Sequence, residues 1–197
     1  MPRTADPTDI PRRLSNAGYA LFQQQGYNAT GIQQITDKAG VPKGSFYNHF
    51  GSKEAFAAQV LRQYGEWMGN AWAAALKDAP PSPLATLHHV FAQFISHHEG
   101  NGCQGCLVGN FAAEVAEASE PCRAELSAVM GDWRVRVGGL IAQAQQAGEV
   151  RRDIDALALA DFFWDAWEGA VLRSKVVRTV QPLRDALHLL LGDFFLP

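Results

Sequence analysis

The chain is 197 residues long and has only three cysteines, Cys103, Cys106 and Cys122. That is too few for a disulfide framework at this size, so a reducing cytoplasm is the expected home. No run of about 18 apolar residues occurs, which excludes a membrane-spanning helix. Met1 to Ile10 carries no apolar stretch of the kind a secretory signal needs. No segment alternates apolar and polar residues in the manner of a half-buried strand. There is a C-x-x-C, Cys103 to Cys106, but no second pair to complete a zinc site. Nor is there a Cys/His/Asp arrangement with the mechanics of a nucleophilic enzyme. What is present is 47% hydrophobic and 19% charged residues, the make-up of a globular chain rather than a disordered or coiled-coil one.

Positive charge is also scarce. The net charge is −3, the wrong sign for a nucleic-acid binder. The average hides an asymmetry. Up to Lys53 there are six Lys/Arg (Arg3, Arg12, Arg13, Lys38, Lys43, Lys53) against three acids (Asp6, Asp9, Asp37), a balance of +3. The rest of the chain holds the other eleven basic and seventeen acidic residues, a balance of −6. A basic head on an acidic body implies two modules, with any anionic partner at the head.

Apolar residues recur at helical spacing throughout, which predicts an all-α fold of about nine helices. Leu14, Ala17, Gly18, Leu21 and Phe22 mark a first helix that ends by Gly26, with Pro11 set to delay its start. Thr30 reads as the cap of a short second helix faced by Ile32, Ile35 and Ala39 and broken at Gly40. Val41-Pro42 restarts the chain for a two-turn helix from Lys43 to Phe50. Ser52 caps the next, whose face carries Phe56, Val60, Tyr64, Trp67, Met68, Ala71 and Trp72. After Pro80, Pro81 and Pro83 come helices over roughly Leu84 to His98 and Cys106 to Ala118, and one capped by Ser119 running to about Gly148. Asp153 is the expected cap of a helix from about Asp155 to Val180, and Pro182 opens the last, ending near Phe195.

The second and third helices form a helix-turn-helix. In the third, Phe46 and Phe50 lie four apart and can bury together. Lys43, Ser45, Tyr47, Asn48 and His49 then point outward, with side chains suited to base edges and phosphates. Gly44 lets a partner approach the backbone, and the next helix opens with Ser52-Lys53, a place for one phosphate. An amphipathic hairpin with a solvated polar face has the same periodicity. The literal string is more specific. Thr30-Gly31-Ile32-Gln33-Gln34-Ile35, followed by Ala39-Gly40-Val41-Pro42-Lys43-Gly44-Ser45-Phe46-Tyr47-Asn48-His49-Phe50-Gly51-Ser52-Lys53-Glu54, closely resembles the DNA-binding signature of the TetR family of repressors.

The resemblance implies a head (1–53, with the fourth helix leading onward) that binds double-stranded operator DNA. Its third helix would enter the major groove. Carried over by position, Lys43, Gly44, Ser45 and Asn48 would face bases; Tyr47, His49, Lys53 and Thr30 would hold phosphates. It also implies a helical ligand-sensing and dimerisation body (54–197), since a palindromic operator demands a two-fold dimer. Leu157, Ala160, Phe163, Trp164, Trp167 and Val171, with Leu183, Leu187, Leu190, Leu191, Phe194 and Phe195, are the expected dimer surface; packing inside the monomer is the alternative. Trp67, Met68, Trp72, Phe91, Phe94, Phe111, Trp133 and Phe162 are expected around a ligand cavity, or simply in the core.

The remaining chemistry centres on Cys106. A zinc site can be drawn from His98, Cys103 and Cys106, but His88, His89, His97 and His98 read better as helix-surface residues, and no metal or cofactor is expected. Cys106 opens a helix, whose N-terminal dipole lowers a thiol pKa. Gly105-Cys106-Leu107-Val108-Gly109-Asn110 with Ala113-Glu114, and Trp167-Glu168-Gly169-Ala170-Val171-Leu172-Arg173-Ser174-Lys175, look like one branch of the family. It contains the repressors of acrylate utilisation and of N-ethylmaleimide reductase. That resemblance implies release from DNA by a reactive electrophile, an oxidant or a short unsaturated acid. Cys106 would be the sensor, and Lys175 would stabilise its thiolate or trap an oxidised sulfur as a sulfur–nitrogen bond. Arg173, Lys175 or Trp133 would hold a small carboxylate in a non-covalent version, with Trp167 beside them. The rivals are a multidrug-type repressor with no thiol role and a thiol-dependent detoxifying enzyme.

Overall fold

The computed structural model describes residues 9–197; Met1 to Thr8, and with them Arg3, Asp6 and most of the N-terminal stretch read above for a signal, lie outside the described residues. The described residues form nine α-helices: α1 (Ile10–Gln25), α2 (Ile32–Ala39), α3 (Lys43–Phe50), α4 (Lys53–Ala75), α5 (Pro83–Gly100), α6 (Leu107–Val115), α7 (Glu120–Gln146), α8 (Ala156–Val177) and α9 (Gln181–Leu189). A 3-10 turn follows α4, a π turn follows α9, and no strand occurs among the described residues. None of these helices is long and apolar enough to cross a membrane.

Three local expectations are corrected. Pro11 does not delay α1: it sits in the first turn, where its missing N–H has no carbonyl to serve, and Asp9 caps the helix by accepting from Arg12 N. Thr30 does not cap α2. Gly31 occupies that position, and its N–H donates to Gln34 Oε1 at 2.7 Å. The Thr30 hydroxyl instead donates to the Gly26 carbonyl at 2.6 Å, and the residue is 1% exposed. Finally, Asp155 rather than Asp153 caps α8, accepting from Leu157 N and Ala158 N; Asp153 is paired with Arg151.

Helices α1 to α3 close around one aromatic knot. Phe46, Phe50 and Phe22 all lie against Phe56 of α4, with ring centroids 5.0, 4.8 and 5.9 Å away. Each buried ring contributes roughly 1.5–3 kcal/mol, and the knot fixes α3 to the start of α4. Arg13 fastens α1 to the turn between α2 and α3, its guanidinium donating to the carbonyls of Ala39 and Gly40 at 2.7 and 2.9 Å. Gly40 takes the left-handed conformation (φ 64°) that this turn needs.

The rest of the chain is a bundle in which α7 packs on α4, α5 and α8, and α9 packs on α8. Head and body meet through α6 and the loop before it. Gln23 Nε2 donates to the Gly105 carbonyl at 2.7 Å. Asn28 N donates to the Glu114 carboxylate at 2.7 Å. Phe111 of α6 meets Phe22 edge-on at 5.1 Å.

Candidate nucleic-acid interface and sensor site

With Phe46 and Phe50 buried, α3 turns Lys43, Gly44, Tyr47, Asn48 and His49 outward, all exposed, and Ser45 half outward. A Cβ added at Gly44 would meet nothing within 4 Å, so no neighbour in the fold needs a glycine there. Two residues do not join this face. Thr30 is buried, and its hydroxyl serves the head's own backbone, so the phosphate contact expected of that side chain is not what its placement offers. Lys53 is turned inward: Nζ donates to the Tyr27 carbonyl at 2.7 Å and sits 4.0 Å above the Tyr27 ring. Partial burial lowers its pKa, opposed by the charge of Glu114. One of its three N–H groups is therefore spent within the head.

The second site surrounds Cys106, the N-cap of α6. Its residue is 7% exposed, and it separates two hollows. On one side is an aromatic cavity of about 30 Å³, room for about one water, among α1, α4, α5, α7 and α8. On the other is an open groove of about 420 Å³ between α6 and α8, where Glu168, Asn110 and Lys175 stand near Cys106. Cys106, Gly105 and Glu168 line both.

The electrostatics correct the expectation of an activated thiol. Burial, followed by the charge of Glu168, pushes the Cys106 pKa up. The Gly109 amide of the first helical turn pulls the other way, and so does Tyr64, whose hydroxyl lies 3.8 Å from Sγ. The helix terminus is thus in place, but desolvation outweighs it. Lys175 does not face the sulfur with its charge: Nζ donates to Asn110 Oδ1 at 3.1 Å, and the residue is exposed on α8. The carboxyl of Glu168 is itself raised to about 7, through burial opposed by its hydrogen bond with Cys106.

Of the other expected sensor residues, Trp133 and Trp167 line the cavity and are 2% and 4% exposed. Arg173 is exposed on α8 and lines neither hollow. Trp67, Met68, Phe91 and Phe94 line the cavity as expected; Trp72 and Phe111 are core residues, and Phe162 lies outside, 47% exposed against Phe194. His98, Cys103 and Cys106 do not assemble: among the described residues no three His, Cys, Asp or Glu side chains converge as metal ligands. The sequence reading missed Glu168, Gln23, Tyr64 and Asn101. Glu168 carried a signal, a carboxylate on the helical face that also bears Trp164, Trp167 and Val171. Gln23 carried none, because nothing local distinguishes it from Gln24 or Gln25.

The expected dimer surface is also redistributed. Ala160, Phe163, Trp167, Val171, Leu183, Leu187, Leu190, Leu191 and Phe195 are buried within the monomer, Trp164 is half-buried, and Leu157 and Phe194 stay exposed as expected. A different stripe stays exposed along α8, made of Ala158, Phe162, Asp165, Gly169, Leu172 and Val176, with Leu189 of α9 also exposed. Its steps of four and three residues are those of one helix face.

Two family models match the chain: "Bacterial regulatory proteins, tetR family" over residues 14–60 and "Tetracyclin repressor-like, C-terminal domain" over residues 83–190. The transcriptional repressor DhaR of Mycobacterium sp. is 39% identical, over 89% of this chain and 87% of its own. The regulator AcuR of Cereibacter sphaeroides is 34% identical over 92% and 86%. The repressor NemR of Escherichia coli is 30% identical over 91% and 90%. A crystal structure of a regulatory protein TetR from Rhodobacter sphaeroides superposes with a TM-score of 0.86 at 33% identity, covering 94% of this chain and 98% of that one.

Proposed function

The chain belongs to the TetR family of bacterial regulatory proteins, and from that premise we propose that it is a homodimeric, cytoplasmic repressor of palindromic operator DNA whose release is triggered at the Cys106 site. The observation that carries the reading is the join between the two sites. The loop holding Cys106 is hydrogen-bonded through Gly105 to Gln23 of α1, the helix that packs against α2 and α3.

In this reading the exposed face of α3 enters the major groove. Lys43, Gly44, Ser45 and Asn48 meet base edges, while Tyr47, His49 and the remaining N–H groups of Lys53 meet phosphates. Phosphate contacts release counterions, so binding weakens as salt rises. A second copy of the chain covers the α8 stripe, which holds the two heads at a fixed spacing.

An electrophile with an activated double bond adds to Cys106: Sγ bonds the β-carbon and the thiol proton ends on the α-carbon. An oxidant takes the sulfur to the sulfenic acid, which condenses with the Lys175 amine to a sulfur–nitrogen bond and releases water. A short unsaturated acid has Lys175 in the groove as its cation. Any of these pushes apart α6, α8 and the loop at Gly105, and the strain reaches α1. Release needs the modified body to favour a head spacing that the operator does not fit. In this reading the reaction is stoichiometric, one modification per thiol, rather than turnover.

The experiment is fluorescence anisotropy with DNA from upstream of the gene. The protein is tested reduced, then with N-ethylmaleimide or hypochlorite, then with acrylate, as wild type and Cys106→Ser. Loss of binding in wild type alone is the expected result. Release of Cys106→Ser by every inducer would remove the thiol from the mechanism and leave a non-covalent, multidrug-type repressor.

A further inference from the structure

The aromatic cavity contains two carbonyl oxygens that no group of the protein satisfies. Gln23 is 7% exposed, and its Oε1 is buried without a hydrogen-bond partner, as is Asn101 Oδ1. Both residues line the cavity, beside Cys106. Orphaned buried acceptors are costly, and each demands a donor. The cavity offers an anion no permanently charged cation; its two histidines are His97 and His98. No Lys or Arg lines it. Its His98 is neutral near pH 7, since burial and then His97 lower its pKa to about 4. Its Glu168 carboxyl, whose pKa is raised to about 7, adds negative charge on ionisation and so gives an anion no partner. The Gln23 amide is meanwhile held by its other end, Nε2 donating to Gly105 O. An amide is planar, so whatever binds Oε1 also sets the direction of Nε2.

We infer that this cavity is a site for a small uncharged primary amide, and that Gln23 reads its occupancy and passes it to the DNA-binding head. An NH2 group brings two donors for the two orphaned oxygens, whereas a carboxylate brings none. At about 30 Å³ the cavity admits only a water-sized occupant as it stands, so an amide must displace the walls to enter. Trp67, 42% exposed, is one wall open to solvent. Entry therefore reorients the Gln23 amide and strains its bond to Gly105. An unsaturated amide so held lies beside Cys106 Sγ, which makes the class relevant to both covalent and reversible response. This inference deepens the proposed function and rests on it for its regulatory meaning.

The test uses the full chain and an unreactive probe, propionamide, against propionate. Binding is followed by saturation-transfer NMR and by the rise in Tm, with no DNA present. Propionamide is expected to bind saturably and at least about tenfold more tightly than propionate, the effect of one well-placed buried hydrogen bond. Gln23→Met and Asn101→Leu, which remove the two acceptors separately, are each expected to weaken propionamide by about tenfold; the second keeps the test open if the first does not fold. Propionate binding as tightly as propionamide, or both variants binding it like wild type, would overturn the inference. A chain that binds propionamide but no operator would defeat the proposed function and leave this site standing. A chain released from DNA by electrophiles yet blind to propionamide would do the reverse.

Discussion

The backbone N–H of Asn28, just after α1, donates to the carboxylate of Glu114 on α6 at 2.7 Å, across 86 residues of chain. The same carboxylate fills the space over Gly26: a Cβ there would lie 2.1 Å from Glu114 Oε1, and Gly26 has φ 82°. Glu114→Ala is expected to cost about 1 kcal/mol of stability, the worth of one charge-assisted bond at a surface. It should also blunt the drop in DNA affinity on alkylation, measured by anisotropy. Gly26→Ala should cost more, through both strain and the displaced carboxylate.

Gly44 is a position where folding and the proposed DNA contact can be told apart. Nothing in the protein crowds its missing side chain, and alanine is the better helix former by up to about 1 kcal/mol. Gly44→Ala should therefore raise or preserve Tm while weakening operator binding roughly tenfold or more, as an added methyl does in a close-packed contact. Equal losses of both would mean that the glycine serves the head itself.

Val176 is 76% exposed at the end of the α8 stripe. Val176→Arg should leave helix content unchanged, since a cation suits a helix C-terminus. Sedimentation velocity should show a monomer in place of a dimer, and affinity for the full palindrome should fall towards that for one half-site. A dimer of undiminished stability would place the interface elsewhere.

Glu168 gives a pH signature. Its folded pKa of about 7 lies above the ordinary 4.5, so the folded state holds the proton more tightly. Stability from this group is full below pH 4.5 and is lost as pH rises through 7, a change of up to about 3 kcal/mol. Glu168→Gln should accordingly be more stable than wild type at pH 8 and show no such advantage at pH 4, by urea denaturation. Removing the anion also favours the thiolate, so N-ethylmaleimide should label Cys106 in this variant roughly tenfold faster at pH 8, the effect of one pKa unit.

The helix-turn-helix was legible because its determinants are local. Phe46 and Phe50 share a face by spacing alone, and that forces Tyr47, Asn48 and His49 outward. Even there, local reading failed where two candidates adjoin: Thr30 and Gly31 both suit a cap, and the choice was made by the Gly26 carbonyl claiming the threonine hydroxyl. Apolar residues on α8 and α9 were recognised as a group, but which of them face out depends on how α9 lies on α8.

The sequence by itself determined the all-helical fold, the head and its outward polar face, and the placing of Cys106 at a helix start, because capping, periodicity and short motifs act within a few residues of chain. Tertiary structure alone decided the state of that thiol. Burial and Glu168, 62 positions away, outweigh the helix terminus, and Lys175 spends its charge on Asn110. It alone brought Gln23 to Gly105 and Asn28 to Glu114. Desolvation and hydrogen bonding between distant segments depend on which surfaces packing brings together, and no local pattern encodes that.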